Sequence, residues 1–306
     1  MILNSFSLPG VAVIMMINVM LLSQGCFEEE RIALLQIKTS FGDHPNDNLP
    51  PLFYWGKDAL CCSWEGVTCS NSTTRRVIEI DLFFARDWYS SMGDWYLNAS
   101  IFLPFQELKV LDLGANRIAG CVANEGFERL SRLNKLETLY LSFNNFNNSI
   151  LSSLKGLLSL KHLHLDANQL KGSINTKEFD SLSNLEVLSL SYNNIQEFTT
   201  LRGSEGPSRL NKLQSLDLSF NNFNNSILSS LEGLNKLESL DLRYNHFNNS
   251  ILSSLKELSS LKHLNLGDNQ LQGSINMKEF DSLSNLEELS LSGNNIQNFV
   301  ALTGIN

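Results

Sequence analysis

Residues 237–247 read LESLDLRYNHF, and this run of spaced leucines followed by an asparagine decides the fold. In the general form L-x-x-L-x-L-x-x-N-x-[L/I/F], the pattern occurs eight times along the chain. Successive asparagines lie 28, 24, 25, 28, 24, 24 and 25 residues apart. They are Asn116, Asn144, Asn168, Asn193, Asn221, Asn245, Asn269 and Asn294. Self-similarity at such a period indicates stacked repeats of one small structural unit.

The leucine spacing predicts how each unit folds. The L-x-L segment alternates with a period of two, so it predicts a short strand with leucines inward and the x positions outward. One repeat cannot bury its leucines alone, whereas stacked repeats share a continuous core. The pattern is that of a leucine-rich repeat. We therefore predict an α/β solenoid over residues 105–306, a curved parallel β-sheet horseshoe.

The repeated asparagine follows the strand, where the backbone turns away and its polar groups lose their ladder partners. An inward-pointing amide supplies both donors and an acceptor for those groups. These eight residues are therefore predicted to be structural. Replacing Asn168 or Asn245 with alanine is expected to cost about 1–3 kcal/mol through unsatisfied buried polar groups.

The N-terminal segment predicts entry into the secretory pathway. Residues 11–22, VAVIMMINVMLL, are an apolar run that ends before Ser-Gln-Gly at 23–25. A run this short followed by small residues is typical of a cleaved signal peptide at residues 1–25. An uncleaved anchor stays open, because residues 1–10 contain no Lys or Arg. The formal net charge of −9 argues against a nucleic-acid partner.

The chain contains five cysteines, at positions 26, 61, 62, 69 and 121. Disulfides are their default use in a secreted chain, and no Cys or His pair stands at zinc-ligand spacing. Neighbouring Cys61 and Cys62 are expected to take different partners, since a bond between adjacent cysteines is strained. Cys121 is left over. It is interpreted as a small buried residue at a bend, with a reactive or intermolecular thiol as the alternative.

The segment before the repeats predicts a cap on the first repeat. Residues 28–41 form an amphipathic pattern that opens with acidic residues and ends at Gly42, which predicts a helix. Residues 76–82, RVIEIDL, predict a strand, and an aromatic-rich connection follows it to residue 104. We therefore divide this region into a cap at 26–74 and a capping strand with its connection at 75–104.

The cap resembles that of plant leucine-rich-repeat receptors. The matching residues are Cys26, Glu30-Arg31, Ala33-Leu34-Leu35, Lys38, Trp55 and the run CCSWEGVTC at 61–69. The resemblance implies a helical, disulfide-bonded cap with the pairs Cys26–Cys61 and Cys62–Cys69. Receptor-like proteins, which are ectodomains on a membrane anchor without a kinase, are the most similar group. Their L-x-G-x-I-P segment recurs here at 170–174 and 271–275 without the proline. The other repeats depart further, reading FNNSI at 146–150 for example, so their outer backs are expected to be less regular.

Five Asn-x-Ser/Thr sequons predict glycosylation, at Asn71, Asn98, Asn147, Asn224 and Asn248. The last three each stand three residues after a repeated asparagine, so they are expected on one flank of the solenoid. Glycans there would leave the strand face and the opposite flank free for binding.

The outward positions of consecutive strands form the candidate ligand-binding strand face. The candidates are Tyr140, Phe143, His162, His164, Tyr192, Asp217, Phe220, Asp241, Arg243 and Tyr244. The aromatic residues in this set would anchor a peptide or a sugar, or would pack on one another at the strand ends. The histidine pair is interpreted as surface residues rather than a metal site, and the aspartate pair as structural.

These features favour a binding protein over an enzyme, and no cofactor or catalytic motif is predicted. The resemblance implies a cell-surface recognition module for a peptide, protein or carbohydrate ligand, signalling through a partner receptor kinase in defence or development. The alternative is a secreted inhibitor of cell-wall-degrading hydrolases such as polygalacturonase. We expect the chain to be part of a longer receptor, and a membrane anchor only in that longer form. Residues 142–196 recur almost unchanged at 243–297, which indicates an internal duplication.

Overall fold

This computed structural model describes residues 26–42, 51–57, 60–86, 93–199, 210–227, 231 and 233–300. The predicted signal peptide at 1–25, part of the aromatic connection at 87–92 and the end at 301–306 lie outside the described residues. Within those ranges no helix is long and apolar enough to cross a bilayer.

One long sheet runs through the described chain, and it confirms the predicted solenoid. All of its neighbouring strands are parallel except the first pair, which is antiparallel. In spatial order the strands are β1 (Val67–Cys69), β2 (Val77–Asp81), β4 (Val110–Asp112), β6 (Thr138–Tyr140), β7 (His162–His164), β9 (Val187–Ser189), β11 (Ser215–Asp217), β12 (Ser239–Asp241), β13 (His263–Asn265) and β15 (Glu288–Ser290).

Each repeat forms one coil of the solenoid. The repeated leucines of neighbouring coils lie in register and form the core. Leu139, for example, pairs with Leu111 on one side and Leu163 on the other, and all three are fully buried. One coil alone would leave these side chains in water, so burial depends on the neighbours. In the eighth repeat Leu289 and Leu291 are only partly buried, since full burial depends on a neighbouring repeat on each side.

The repeated asparagines join consecutive coils. Nδ2 of Asn245 donates to the carbonyls of Leu242 and Arg243 in its own repeat, at 3.1 and 3.2 Å, and to that of Leu218 in the preceding repeat, at 3.0 Å. Its Oδ1 accepts from the amide of Phe223 at 2.9 Å. The other seven donate in the same way, to two carbonyls of their own turn and one of the coil before. These bonds satisfy backbone groups that the short strands leave over.

The outer side of the solenoid carries short elements that the sequence analysis did not predict. Three two-stranded parallel sheets lie there: β3 (Trp95–Leu97) with β5 (Ile118–Cys121), β8 (Lys171–Asn175) with β10 (Asn194–Thr199), and β14 (Gln272–Asn276) with β16 (Asn295–Val300). Two single-turn helices, α2 (Ser149–Ser153) and α3 (Ser250–Ser254), occupy the corresponding side of other repeats. The L-x-G-x-I segments at 170–174 and 271–275 lead into β8 and β14 despite the missing proline.

The cap opens with helix α1, Glu28–Phe41, which has the predicted bounds. Its buried face includes Leu34, Ile37 and Phe41. Nζ of Lys38 donates to the carbonyls of Phe53 and Trp55, at 3.0 and 2.9 Å. The Trp55 ring stacks on Trp64 with 5.7 Å between centroids, and both are buried. Lysine and tryptophan thus tie the helix to the loop that follows it.

Two disulfides and one buried ion pair complete the cap. Cys26 is bonded to Cys61 and Cys62 to Cys69, the pairs that the resemblance implies. Glu30 has no exposed side-chain surface and contacts Nε of Arg76 at 2.6 Å. Its second oxygen accepts from the amide of Val77, the first residue of β2, at 3.2 Å. A buried carboxylate must be paired in this way, so Glu30 fixes α1 against the first solenoid strand.

The eight repeated asparagines and their hydrogen bonds, which we call the asparagine ladder, predict a large loss of stability from one small change. Asn245→Ala leaves three carbonyls and one amide without their hydrogen-bond partner. We therefore expect the free energy of unfolding to fall by about 1–3 kcal/mol. Asn235→Ala removes the same amide from an exposed position of the same repeat and is the matched control. Urea unfolding followed by circular dichroism measures both, and equal midpoints for the two variants would contradict the structural role of Asn245.

Candidate ligand-binding surface

The strand face is made of outward side chains from consecutive coils, and its middle is a hydrogen-bonded polar cluster. Oxygens of Asp166 accept from the hydroxyls of Ser142 and Ser191, each at 2.8 Å, and from that of Ser189. Tyr140 stacks on His164 with ring centroids 4.6 Å apart. Neighbouring coils therefore hold these side chains in fixed positions. Asp166 is the centre of this cluster, although the sequence analysis did not select it.

Both candidate histidines of this region contact protein side chains. Nδ1 of His162 lies 2.9 Å from Oγ1 of Thr138, and Nδ1 of His164 lies 3.8 Å from Asp166. Burial lowers the pKa of His164, which opposes the attraction of Asp166 for the protonated ring. Among the residues that the structure describes, no group of His, Cys, Asp and Glu is arranged to hold a metal ion.

The candidate aspartates stand on neighbouring strands and shape the turns that follow. Oδ1 of Asp217 accepts from the amide of Ser219 at 2.9 Å, and Oδ1 of Asp241 accepts from that of Arg243 at 3.0 Å. Asp241 also pairs with Nε of Arg243 at 3.3 Å. Partial burial is the main cause of a raised pKa of Asp241, and repulsion from Asp217 also raises it. The pair has a structural role, yet it also leaves carboxylate oxygens on the surface.

The candidate aromatic residues lie outside the strands, at the turn directly before each repeated asparagine. Every described residue in this column has a left-handed backbone. The φ angles are 57° for Ala115, 57° for Phe143, 50° for Ala167, 52° for Tyr192, 52° for Phe220, 52° for Tyr244, 50° for Asp268 and 68° for Gly293. Only glycine adopts this conformation without steric cost, and a bulky residue there is an outlier. The sequence analysis treated these positions as part of the strand face and did not predict this conformation.

Three of these aromatic residues form an exposed stack, which we call the aromatic ridge: Tyr192, Phe220 and Tyr244. Ring centroids are 4.0 Å apart between the first two and 4.2 Å apart between the last two, with the planes within 19° of parallel. Tyr192 and Tyr244 are nevertheless 55% and 47% exposed. The guanidinium of Arg243 lies 5.6 Å from the Phe220 ring. The rings thus pack on one another and still present their edges and outer faces to solvent.

Phe143 stands apart from the ridge. Its neighbours in the column are alanines, Ala115 and Ala167, and its ring is 54% exposed. No described ring stacks on it. The candidate aromatic residues therefore divide into a stacked group of three and one isolated ring.

The sequons lie at the surface, as glycosylation would require. Asn71, Asn147, Asn224 and Asn248 are exposed, whereas Asn98 is partly buried and accepts from the amide of Ser100 at 3.0 Å. Glycosylation of all five stays a prediction. Cys121 is a free cysteine and partly buried, and burial raises the pKa of its thiol to about 12, which favours the protonated thiol at neutral pH.

Comparison with known families agrees with this architecture. The model for the Leucine rich repeat N-terminal domain matches residues 27–70. Leucine rich repeat models match residues 134–195 and 252–296, and residues 209–231 and 233–256. The chain therefore belongs to the leucine-rich-repeat proteins that carry this N-terminal domain.

Its relatives include plant receptor-like proteins. The chain is 37% identical over 223 residues to Cuscuta receptor 1 of Solanum lycopersicum, covering 68% of this chain and 19% of that protein. It is 34% identical over 220 residues to Receptor like protein 21 of Arabidopsis thaliana, covering 66% of this chain and 20% of that protein. The chain thus spans about a fifth of the length of these relatives.

A solved structure with a similar fold is the ectodomain of the Arabidopsis receptor kinase HAESA, in complex with an N-terminal extended IDA peptide hormone ligand. Its TM-score is 0.62 at 25% identity, covering 88% of this chain and 42% of that one. The described solenoid thus has the architecture of a plant receptor ectodomain.

The turn geometry predicts opposite effects of one substitution at two ring positions. Phe143→Gly relieves left-handed strain of about 1 kcal/mol and loses little packing, so its stability should stay level or rise. Phe220→Gly relieves the same strain but removes two stacked contacts, each worth about 0.5–1.5 kcal/mol beyond area burial, so its stability should fall. Chemical denaturation of both variants measures the difference, and equal shifts would refute the energetic role of the ridge.

Asp112 predicts a pH-dependent change in stability. Burial raises the pKa of Asp112 from 3.8 to about 6. Repulsion from Asp81 and Glu79 adds to this rise, and the hydrogen bond from the Gly114 amide opposes it. Between these pH values the folded state binds the extra proton, so stability falls as pH rises through that window. Asp112→Asn should remove this slope and add about 1 kcal/mol at pH 7, after allowance for solvent screening.

Another repeat of this chain already has an asparagine at the position of Asp112. Asn265 occupies the same turn position and accepts from the amide of Gly267 at 3.0 Å, as Asp112 accepts from Gly114 at 2.7 Å. The amide therefore preserves the turn. Thermal melts of both proteins from pH 4 to 7 measure the slope, and parallel profiles would show that Asp112 does not set it.

Proposed function

We propose that this chain is the extracellular ligand-recognition module of a plant receptor-like protein, which signals through a partner receptor kinase. The likeness to receptor-like proteins supports the receptor over the secreted hydrolase inhibitor. We place the module at the cell surface, outside the plasma membrane. The ligand is a peptide or an extended protein segment that lies across the strand face.

The aromatic ridge is the observation that carries this proposal. Tyr192, Phe220 and Tyr244 expose aromatic surface that is already ordered by stacking, so little side-chain entropy is lost when a ligand binds. Exposed, rigid aromatic side chains are the usual anchors of protein recognition sites. The strained backbone below them is also typical of binding surfaces.

Charge beside the ridge defines the ligand chemistry. Asp217 and Asp241 lie on the strands that lead into Phe220 and Tyr244, and repulsion between them contributes to the raised pKa of Asp241. A cationic group on the ligand would relieve that repulsion. We therefore propose a peptide with a Lys or Arg side chain next to an apolar one.

Peptide selection on the immobilised secreted protein tests the proposal. A random library of about 12 residues is matched to a ribbon in which strands repeat every 4.8 Å or so. Selected peptides should combine a basic residue with an apolar one. Tyr244→Gly should weaken their binding about tenfold or more, since hot-spot aromatic residues contribute at least 1.4 kcal/mol.

Two further variants separate site effects from folding effects. Asp241→Asn keeps the acceptor for the Arg243 amide, as Asn265 does for Gly267, but removes the charge, and should also weaken basic peptides. Lys135→Ala changes an exposed residue of an ion pair with Glu107 and should leave binding unchanged. Selected peptides that bind all three variants equally would exclude the ridge as the site. Inhibition of a polygalacturonase by the purified protein would favour the alternative.

A further inference from the structure

A polar pocket opens on the flank of the second to fourth repeats, beside the aromatic ridge. Its volume is about 860 Å³. It is lined by Asn147, Asn148, Asn168, Gln169, Lys171, Tyr192, Asn193 and Asn194. Lysine is the only charged residue in this lining, although the whole chain carries a net charge of −9.

Several of the side-chain amides that line the pocket already form hydrogen bonds with backbone groups. Asn168 and Asn193 belong to the asparagine ladder, and Asn148 pairs both side-chain atoms with the backbone of Lys171, each at 2.9 Å. The ammonium of Lys171 and the amide of Gln169 have no partner among the described residues. Because an ammonium carries only donors, the pocket fits a ligand rich in oxygen acceptors.

Tyr192 gives the pocket one apolar wall. One face of its ring is covered by Phe220 at 4.0 Å. On the other side the next residue in the column is Ala167, which has no ring to cover the second face. A flat aromatic face next to hydrogen-bond donors suits the ring of a sugar, whose C–H groups pack on the ring while its hydroxyls and carbonyls accept hydrogen bonds.

Asn147 places a sugar attachment point in the wall of this pocket. It is exposed and begins the sequon Asn-Asn-Ser. Its Oδ1 accepts from the amide of Ser149 at 2.9 Å, which fixes the side-chain amide and leaves Nδ2 for glycan attachment. Lys171 occupies the same position in the next repeat, 24 residues on.

We propose that the first N-acetylglucosamine units of a glycan on Asn147 lie in this pocket, against the free face of Tyr192 and with Lys171 and Gln169 as donors. Covalent attachment holds the sugar at a high effective concentration, so weak contacts are enough to seat it. The glycan then forms a fixed part of the flank and is not a mobile surface chain.

The internal duplication supplies a matched site without these contacts. Asn248 corresponds to Asn147, and its Oδ1 accepts from the amide of Ser250 at 3.0 Å. Asn249 pairs with the backbone of Gln272, again with two bonds of 2.9 Å. The backbone around the two sequons is therefore the same.

The side chains differ where the proposal requires contact. Gln272 replaces Lys171, and Gly293 replaces Tyr192. Gln270, the counterpart of Gln169, lies 3.2 Å from Nδ1 of His246 and is thereby engaged. A glycan on Asn248 therefore lacks the aromatic wall and the ammonium, and the glutamine amide that corresponds to Gln169 is already engaged by His246.

Endoglycosidase H, which cuts between the first two N-acetylglucosamine units, tests the proposal. The secreted protein is produced with uniform oligomannose glycans, in an Asn224→Gln background that removes the glycan next to Asn248. Site-specific mass spectrometry follows cleavage on the native protein. Cleavage at Asn147 should be about tenfold slower than at Asn248, which corresponds to about 1.4 kcal/mol of protection, and equally fast after denaturation.

Exchanging the residues that differ between the two sites should exchange their rates of endoglycosidase cleavage. Lys171→Gln with Tyr192→Gly should make Asn147 as sensitive as Asn248. Gln272→Lys, Asp268→Ala and Gly293→Tyr together should protect Asn248. The second change is included because a Cβ on Gly293 would meet Asp268 at 2.2 Å.

Three outcomes would overturn the proposal. These are an unglycosylated Asn147, equal native rates at the two sites, and a slow Asn147 rate that persists in the Lys171→Gln, Tyr192→Gly variant. If Asn248 carries no glycan, the denatured rate at Asn147 itself is the reference. Tyr192 is shared with the aromatic ridge, whereas Asn147 and Lys171 are not part of the proposed ligand face. Failure here therefore leaves the peptide-binding proposal standing, because that proposal is tested at Tyr244 and Asp241.

Discussion

The asparagine amide that bridges two coils is the interaction on which the rest of this structure depends. Except for the five-residue β2, each strand of the long sheet is only three residues long, so the strands alone leave carbonyls unpaired at the turn. One side-chain amide then serves two carbonyls of its own turn and one of the coil before it, as Asn245 does. Because the bond crosses between coils, it fixes their register as well as their stability. Aligned outward columns, and hence a continuous strand face, follow from that register.

The left-handed residue before each asparagine connects this scaffold to the surface. The chain must leave the strand and turn inward within two residues to bury the amide, and a φ near +50° makes that turn. The same turn leaves the side chains of Phe143, Tyr192 and Tyr244 about half exposed. Rings at Tyr192, Phe220 and Tyr244 regain part of the strain energy by stacking, while Phe143 has no such compensation. Strain at the turn and aromatic surface for binding are therefore two consequences of one geometric requirement.

The sequence was sufficient for features that repeat along the chain or are local to it. Leucine spacing predicts the strands, and the fourteen residues of α1 end where Gly42 allows a φ of 100°. The pocket and the Asp166 cluster were not predicted, because they depend on residues about 24 positions apart that meet only when coils stack. A signal for the pocket was nevertheless present: Lys171 occupies the sequon position of its repeat, directly after the repeat of Asn147. The left-handed column lacked such a signal, since its glycine occurs once, at Gly293, among alanines, aromatic residues and an aspartate.

The two duplicated segments show which positions the fold restricts. Aligned at an offset of 101, residues 142–196 and 243–297 differ at 12 positions, and none is an inward leucine or a repeated asparagine. Seven of the differences fall on the strand face or the left-handed column: Ser142/Arg243, Phe143/Tyr244, His164/Asn265, Asp166/Gly267, Ala167/Asp268, Val187/Glu288 and Tyr192/Gly293. The first copy thus presents a histidine–aspartate cluster, and the second presents an arginine and an asparagine in its place. One scaffold therefore displays two different chemistries along a single ribbon, which is the property that recognition of an asymmetric, extended ligand requires.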